Sequence, residues 1–257
     1  MVVTIFIRKS SNYRKGKSRY CTTKSCPLLV NEKHRFMACF VPKIASTSMK
    51  NIFNILDDNK INITNINNTE FHIKANDLLT RISPMFYNIK QNKNYYKMLF
   101  VRHPFVRLVS AFKDKAERNR SEESYFYDKY WDKIMSKERS HYTNDSKPTF
   151  QEFVKLLLTT NEYTYDEHWA PIWTRCEPCY VDYDFIGKLE TSAQDFAVIS
   201  NKLNLSQMFW ENKNVNKYRN QVKQYLLQIS SQEIIGLYKK YFLDFKLFGY
   251  TIEEIFY

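Results

Sequence analysis

The stretch Lys97–Lys115, KMLFVRHPFVRLVSAFKDK, constrains this chain more than any other. Tyr95–Arg102 is an apolar, aromatic run of strand length. Pro104 follows almost at once, where the first turn of a helix tolerates it. Phe105, Leu108, Val109 and Phe112 then recur at i, i+3, i+4 and i+7, the stripe of a helix with one buried face. A buried strand that turns within two residues into a core-facing helix opens a strand–helix crossover, and crossovers belong to α/β architecture.

The same pattern appears twice more. Phe36–Val41 (FMACFV) is a short apolar run ending at Pro42, and Ser48–Leu56 carries Met49, Ile52, Phe53 and Leu56 at helical spacing. Pro42–Thr47 is therefore a strand-to-helix loop. Phe185–Lys188 reads as a further core strand and Ser192–Leu203 as a helix. Thr149 with Glu152 forms a capping box before a helix over Phe150–Leu158, and Ser230 with Glu233 caps a final helix through about Tyr241. Asp57–Thr69, rich in Asn and Ile, reads as a loop or insertion, and Arg118–Lys147 as an irregular excursion. The expectation is an α/β fold: a single domain over residues 35–257 with a central, mainly parallel sheet flanked by helices. A basic N-terminal arm, residues 1–34, precedes it.

Composition bears on partners. Hydrophobic residues make up 44% of the 257, enough for a sizeable core. The 39 Lys and Arg against 27 Asp and Glu give +12 at pH 7, which favours a polyanionic partner: nucleic acid, an anionic membrane surface or an acidic polysaccharide. A solvated Lys-rich surface accounts for the charge equally well, so charge alone selects none of them. No segment approaches the ~18 to 20 apolar residues of a membrane span. Met1–Ile7 is apolar but too short for a signal segment. The five cysteines, Cys21, Cys26, Cys39, Cys176 and Cys179, are odd in number, so at least one is free or pairs between chains. Sequons at Asn62, Asn67, Asn119, Asn144 and Asn204 give weak support for a secretory lumen.

Two loops suit phosphate. In the first, VPKIASTSMK (Val41–Lys50), a strand delivers the chain to a helix N-terminus, where backbone N–H groups and the dipole favour an anion. Lys43 adds a full charge, and Ser46, Thr47 and Ser48 add hydroxyl donors. Neither a Walker A motif nor a dinucleotide fingerprint is present, because none of the four glycines (Gly16, Gly187, Gly236, Gly249) lies in this loop. The plainer alternative is an ordinary turn with a Ser or Thr N-cap. In the second, Arg102 ends a strand, where open α/β sheets bind ligands. Ser110 lies about two turns along the following helix. The alternative there is a solvated polar face, which accommodates Arg107 and Asp114.

These residues resemble a known family. Pro42-Lys43 with its Ser/Thr-bearing loop is similar to the 5′-phosphosulfate loop of Golgi carbohydrate sulfotransferases. Leu99–Phe105, continuing through Arg107–Phe112, resembles their 3′-phosphate element. The nearest group contains the chondroitin and dermatan 4-O-sulfotransferases. His168-Trp169, Cys176-Glu177-Pro178-Cys179, Tyr183–Thr191 and Asp244–Tyr250 match the same group, so the resemblance runs from about Arg35 to Tyr250. Ser46 stands where family members usually carry Cys, and Met49 where they carry Trp. The family's N-terminal membrane anchor has no counterpart here.

The resemblance implies a sulfotransferase fold related to P-loop kinases, and a Golgi-lumenal enzyme. Its donor would be 3′-phosphoadenosine 5′-phosphosulfate (PAPS), released as adenosine 3′,5′-bisphosphate, with no metal. The acceptor would be an acidic, chondroitin-like glycan. Lys43, Ile44, Ala45, Ser46, Thr47 and Ser48 would hold the 5′-phosphosulfate, while Arg102 and Ser110 hold the 3′-phosphate. In-line transfer needs charge stabilisation, alignment and a base. Lys43 supplies the charge, and His168 is the first choice of base, with Trp169 beside it as a stacking face for a sugar. His72 is second and Glu167 third, while His103 shapes the phosphate element. Cys176 and Cys179 suggest disulfide use in an oxidising lumen rather than half of a zinc site. Two other functions compete: a nucleotide-dependent phosphotransferase, and a non-catalytic binder of glycosaminoglycan or nucleic acid. Nucleic acid is not the expected partner.

Overall fold

The computed structural model describes residues 27–62, 66–82, 94–205 and 215–256. Most of the proposed arm, with Cys21 and Cys26, lies outside them. In chain order the strands are β1 (Leu28–Asn31), β2 (Phe36–Cys39), β3 (Arg81–Ile82), β4 (Tyr96–Val101) and β5 (Phe185–Lys188). The helices are α1 (Ser46–Leu56), α2 (Asn68–Leu78), α3 (Pro104–Lys115), α4 (Ser124–Phe126), α5 (Asp132–Glu138), α6 (Phe150–Thr159), α7 (Ile172–Cys176), α8 (Ser192–Leu203), α9 (Val215–Leu226), α10 (Ser231–Phe248) and α11 (Glu253–Phe256).

The chain divides into two compact units. One comprises residues up to Val101 together with Arg175–Glu211, the other Arg102–Thr174 together with the residues from Asn212 on. The first holds the sheet, in the order β3-β1-β2-β4-β5. β2, β4 and β5 run parallel, with Phe36 opposite Tyr96 and Met98 opposite Phe185. These are the three strands read from the sequence, and the near-continuous burial of β2 and β4 is what a parallel strand covered on both faces requires. The other two strands differ from expectation. Leu28–Asn31, part of the proposed arm, is fully buried and pairs antiparallel with β2, and Arg81–Ile82 pairs antiparallel with β1. The sheet is thus mixed, and it begins before residue 35. The apolar LLV run drives β1, which ends only four residues before β2, close enough for a short hairpin.

Helices α1 and α8 pack on this sheet. Phe53 of α1 meets Phe36 with ring centroids 5.5 Å apart, and Phe196 of α8 stacks on Phe100 at 4.1 Å. Gly187 opposes Phe100 in the register, and a Cβ at that position would lie 2.6 Å from the Phe100 ring, so the packing depends on glycine. A disulfide joins Cys39, at the end of β2, to Cys176, at the end of α7. It closes a loop of 137 residues, worth roughly 4 to 5 kcal/mol by loop entropy. Cys176 therefore pairs with Cys39 rather than with Cys179, which is free and exposed.

The second unit is helical around an aromatic core. Trp131, Phe153, Trp169, Phe105 and Phe245 are all at most 1% exposed. Both predicted capping boxes form, Thr149 with Glu152 on α6 and Ser230 with Glu233 on α10. Gly249 ends α10 at φ 61°, a left-handed cap that glycine adopts without strain. α10 runs to Phe248, seven residues beyond the expected end. The excursion expected at Arg118–Lys147 is helical over Ser124–Glu138, where a π-helical turn, Tyr127–Trp131, links α4 to α5. Its aromatic residues bury Phe126, Tyr127 and Trp131, and that burial outweighs the polar composition. Among the described residues no helix is long and apolar enough to cross a membrane.

Candidate active site

The loop after β2 takes a shape its sequence does not advertise. Lys43 has φ 68° and Ala45 φ 50°, both in the left-handed region and neither a glycine. Each such residue costs on the order of 1 kcal/mol, strain that collects at functional sites. Ala45 is the N-cap of α1, and no side chain caps the helix. The ordinary Ser/Thr-capped turn is thus ruled out: Ser46, Thr47 and Ser48 are themselves the first helical residues. Ile44 is buried as an anchor, while Lys43, Ala45, Ser46, Thr47 and Ser48 stay partly accessible. A helix start without a capping side chain, with three hydroxyls and an ammonium beside it, has the donor set an anion wants.

Thr47 is also where the structure brings in His72. Thr47 Oγ1 lies 3.0 Å from His72 Nε2, on α2. Lys50 Nζ lies 2.7 Å from His72 Nδ1 and donates to Asn76 Oδ1 at 2.9 Å. Arg81 Nη2 reaches the same Asn76 oxygen. An ammonium has no acceptor, so Nδ1 must accept from Lys50, which leaves the ring hydrogen on Nε2 facing Thr47. The Thr47 hydroxyl hydrogen is then turned away from His72. Lys50, 2% exposed, together with Asn76 and Arg81, was missed in the sequence. The signal is weak: a Lys and a His on separate helices, joined only by the fold.

In the second unit, Arg102 is buried at 9% exposure and Ser110 is partly accessible. His103 caps α3: its Nδ1 accepts from the Phe105 N–H at 3.2 Å, and its Nε2 lies 2.9 Å from the Thr251 carbonyl oxygen. The rings of Phe105, Phe245 and Tyr250 surround it. His103 thus fixes the start of α3. Arg107 is not on a solvated face. It is 2% exposed and donates to the carbonyls of Ala170 and Glu167 at 2.6 and 2.9 Å. Asp244, fully buried, accepts from the N–H groups of Ile172 and Trp173 at 2.7 and 2.9 Å. Burial raises the Asp244 carboxyl to about 6, against the pull of those two N–H groups and of Arg107. Arg107 and Asp244 thus clamp the segment that carries His168.

His168 itself is oriented. Its Nδ1 lies 2.6 Å from Asp166 Oδ1, and the same oxygen accepts the His168 N–H at 3.1 Å. Burial raises the Asp166 carboxyl, yet the hydrogen bond and charge of His168 bring it below its ordinary value overall. With Nδ1–H given to Asp166, Nε2 is left as the acceptor. The carboxylate partner of His168 is Asp166, two residues upstream, and the Glu167 carbonyl accepts from Arg107. The DxH spacing was the readable signal. The adjoining Trp169, at 1% exposure, is core and offers no stacking face. No group of three or more His, Cys, Asp or Glu is placed to hold a metal ion among the described residues.

Known proteins resemble this chain over most of its length. Carbohydrate sulfotransferase 14 of Danio rerio is 32% identical over 88% of this chain and 62% of its own length. Carbohydrate sulfotransferase 12 of Xenopus laevis is 30% identical over 87% of this chain and 60% of its own. For carbohydrate sulfotransferase 11 of Rattus norvegicus the figures are 31%, 88% and 67%. The chain spans about three-fifths of the length of the first two relatives. No solved structure gives a significant match. The sulfotransferase family model matches residues 27–251, nearly all of the described residues, and the chain belongs to the sulfotransferase family.

Proposed function

We propose that this protein is a PAPS-dependent carbohydrate sulfotransferase, acting in the Golgi lumen on an acidic, chondroitin-like glycan. The observation that carries the reading is the start of α1: a helix with no capping side chain, entered through two left-handed residues, with Lys43, Ser46, Thr47 and Ser48 around it. An anion completes such a helix start. The donor supplies a sulfuryl group for in-line transfer to a sugar hydroxyl. Lys43, with the N–H groups at the start of α1, stabilises charge on the departing phosphate, while Ile44 and Ala45 fix the loop. Arg102 and Ser110 hold the 3′-phosphate.

The hydroxyl's proton has two candidate acceptors. His168 is favoured by orientation, since Asp166 occupies Nδ1 and leaves Nε2 to act as base. His72 is favoured by position, because it is hydrogen-bonded to the phosphosulfate loop at Thr47. For His72 to act, Lys50 must first release Nδ1. Labelled PAPS with a panel of desulfated glycosaminoglycans tests the whole reading. Label on an N-acetylgalactosamine hydroxyl is expected. Label on a neutral glycan alone would remove the chondroitin-like assignment. No transfer, with ATP·Mg²⁺ bound in preference to adenosine 3′,5′-bisphosphate, would favour a phosphotransferase.

A further inference from the structure

The outer face of Ser124–Glu138 has no part in the chemistry above, yet it is built in an unusual way. Tyr125 and Lys129 stand four residues apart and share a helical face. Tyr125 is 54% exposed, and Lys129 is exposed beside it. The Lys129 ammonium lies 4.9 Å from the centroid of the Tyr125 ring and 5.1 Å from that of Tyr130, and it donates to the Tyr125 hydroxyl. Among the described residues it forms no ion pair, so two aromatic faces hold this cation in place of a carboxylate. Its hydrogen bonds to the Tyr125 and Tyr130 hydroxyls raise its pKa above the ordinary lysine value and keep it protonated.

This platform is continuous with the His168 segment. Phe126 meets the His168 ring edge-on at 5.5 Å, and Tyr130 meets Trp169 edge-on at 5.1 Å. The charge of Lys129 acts on Asp166, the carboxylate bonded to His168. The π-helical turn Tyr127–Trp131 buries Tyr127 and Trp131 while leaving Lys129 exposed and Tyr130 half-buried. An immobilised, unneutralised cation beside an exposed tyrosine face suits one ligand chemistry well: a pyranose ring that carries a carboxylate. The ring's C–H face packs on the aromatic surface and its carboxylate takes the ammonium.

We infer that Tyr125, Lys129 and Tyr130 form the subsite for a hexuronate of the acceptor glycan, with Lys129 taking the carboxylate and Tyr125 the sugar ring. This rests on the sulfotransferase reading for its biological sense, but it can be tested apart from it. Unsulfated chondroitin oligosaccharide and its carboxyl-reduced counterpart are titrated into wild type, Lys129→Ala, Lys129→Arg and Tyr125→Ala. The rise in Tm with adenosine 3′,5′-bisphosphate is recorded for each. Lys129→Ala should weaken the uronate oligosaccharide by about 10-fold or more, the scale of one charge-assisted contact. It should bind the carboxyl-reduced oligosaccharide as wild type does. Lys129→Arg should restore most of the loss, and Tyr125→Ala should weaken both oligosaccharides. If Lys129→Ala fails to fold, Lys129→Gln carries the same comparison. Equal binding of the uronate oligosaccharide by wild type and Lys129→Ala would overturn the inference, as would equal weakening of both oligosaccharides. A wild type that discriminates the two oligosaccharides through Lys129 but does not bind the bisphosphate would keep the subsite and sink the donor reading instead.

Discussion

The two strand-to-helix passages, β2 to α1 and β4 to α3, share one topology and are finished in opposite ways. The second is closed by its own residues. Pro104 takes the first helical position and His103 caps the helix, itself held by the Thr251 carbonyl and three aromatic rings. The first is left open. Its cap residue, Ala45, is left-handed and has no capping side chain, and Lys43 is left-handed two residues before it. A closed start fixes the geometry of whatever Arg102 binds, whereas an open one leaves N–H groups for a ligand to satisfy. Under the proposed function this is a division of labour: the second passage would grip the nucleotide and the first would act on the group that moves.

The largest effect should come from breaking the first passage. Lys43→Ala should lower turnover by about 10²- to 10³-fold, as for other losses of charge stabilisation in a transition state. The rise in Tm with adenosine 3′,5′-bisphosphate should change far less. A variant with full turnover would end the assigned role. Next in size is the base. His168→Ala or His72→Ala, whichever residue serves, should cost about 10²-fold or more in turnover. His72→Ala should also disturb the loop through Thr47 and Lys50, lowering donor affinity along with rate. His168→Ala should leave bisphosphate binding nearly intact. The two signatures tell the candidates apart even if both variants are slow.

How far this was legible in advance follows the same contrast. β2, β4 and β5 and the helices after them are visible as apolar runs and stripes, because each is driven by its own residues burying one face. β1 and β3 are short and gain their stability from pairing with neighbours, so local pattern is faint there. Ser124–Glu138 reads as charged excursion because its buried aromatics follow a π-turn instead of a regular helical period. Of the candidate residues, Lys43, Arg102 and His168 are legible as residue types in a family-like order. Arg107 is not: an arginine at a polar helix position looks solvated until the fold brings two carbonyls to it. Nor are Lys50 and Asn76, whose meaning depends on α2 lying against α1.

At the second passage, Arg102→Ala should weaken bisphosphate binding by about 2 kcal/mol, the worth of a charge-assisted hydrogen bond. Ser110→Ala should cost less. Both should lose discrimination between adenosine 3′,5′-bisphosphate and adenosine 5′-monophosphate. Retained discrimination in both would put the 3′-phosphate elsewhere and dissolve the division of labour.

The smallest effect concerns the strain itself. Ala45 adopts a left-handed conformation that costs an L-residue roughly 1 kcal/mol and glycine almost nothing. Glycine loses more backbone entropy on folding, which offsets part of the gain. Ala45→Gly should therefore stabilise the free protein by about 0.5 kcal/mol, seen as a Tm higher by about 1 to 2 °C for a chain of this size. The residue lies in a partly accessible loop, so few lost contacts obscure the result. The equivalent test at the other passage has no target, since α3 begins without a left-handed residue. A Tm that falls in Ala45→Gly would mean that the Ala45 methyl contributes more than its backbone costs. The strain at Ala45 would then be outweighed by packing, and the openness of the first passage would rest on the missing cap alone.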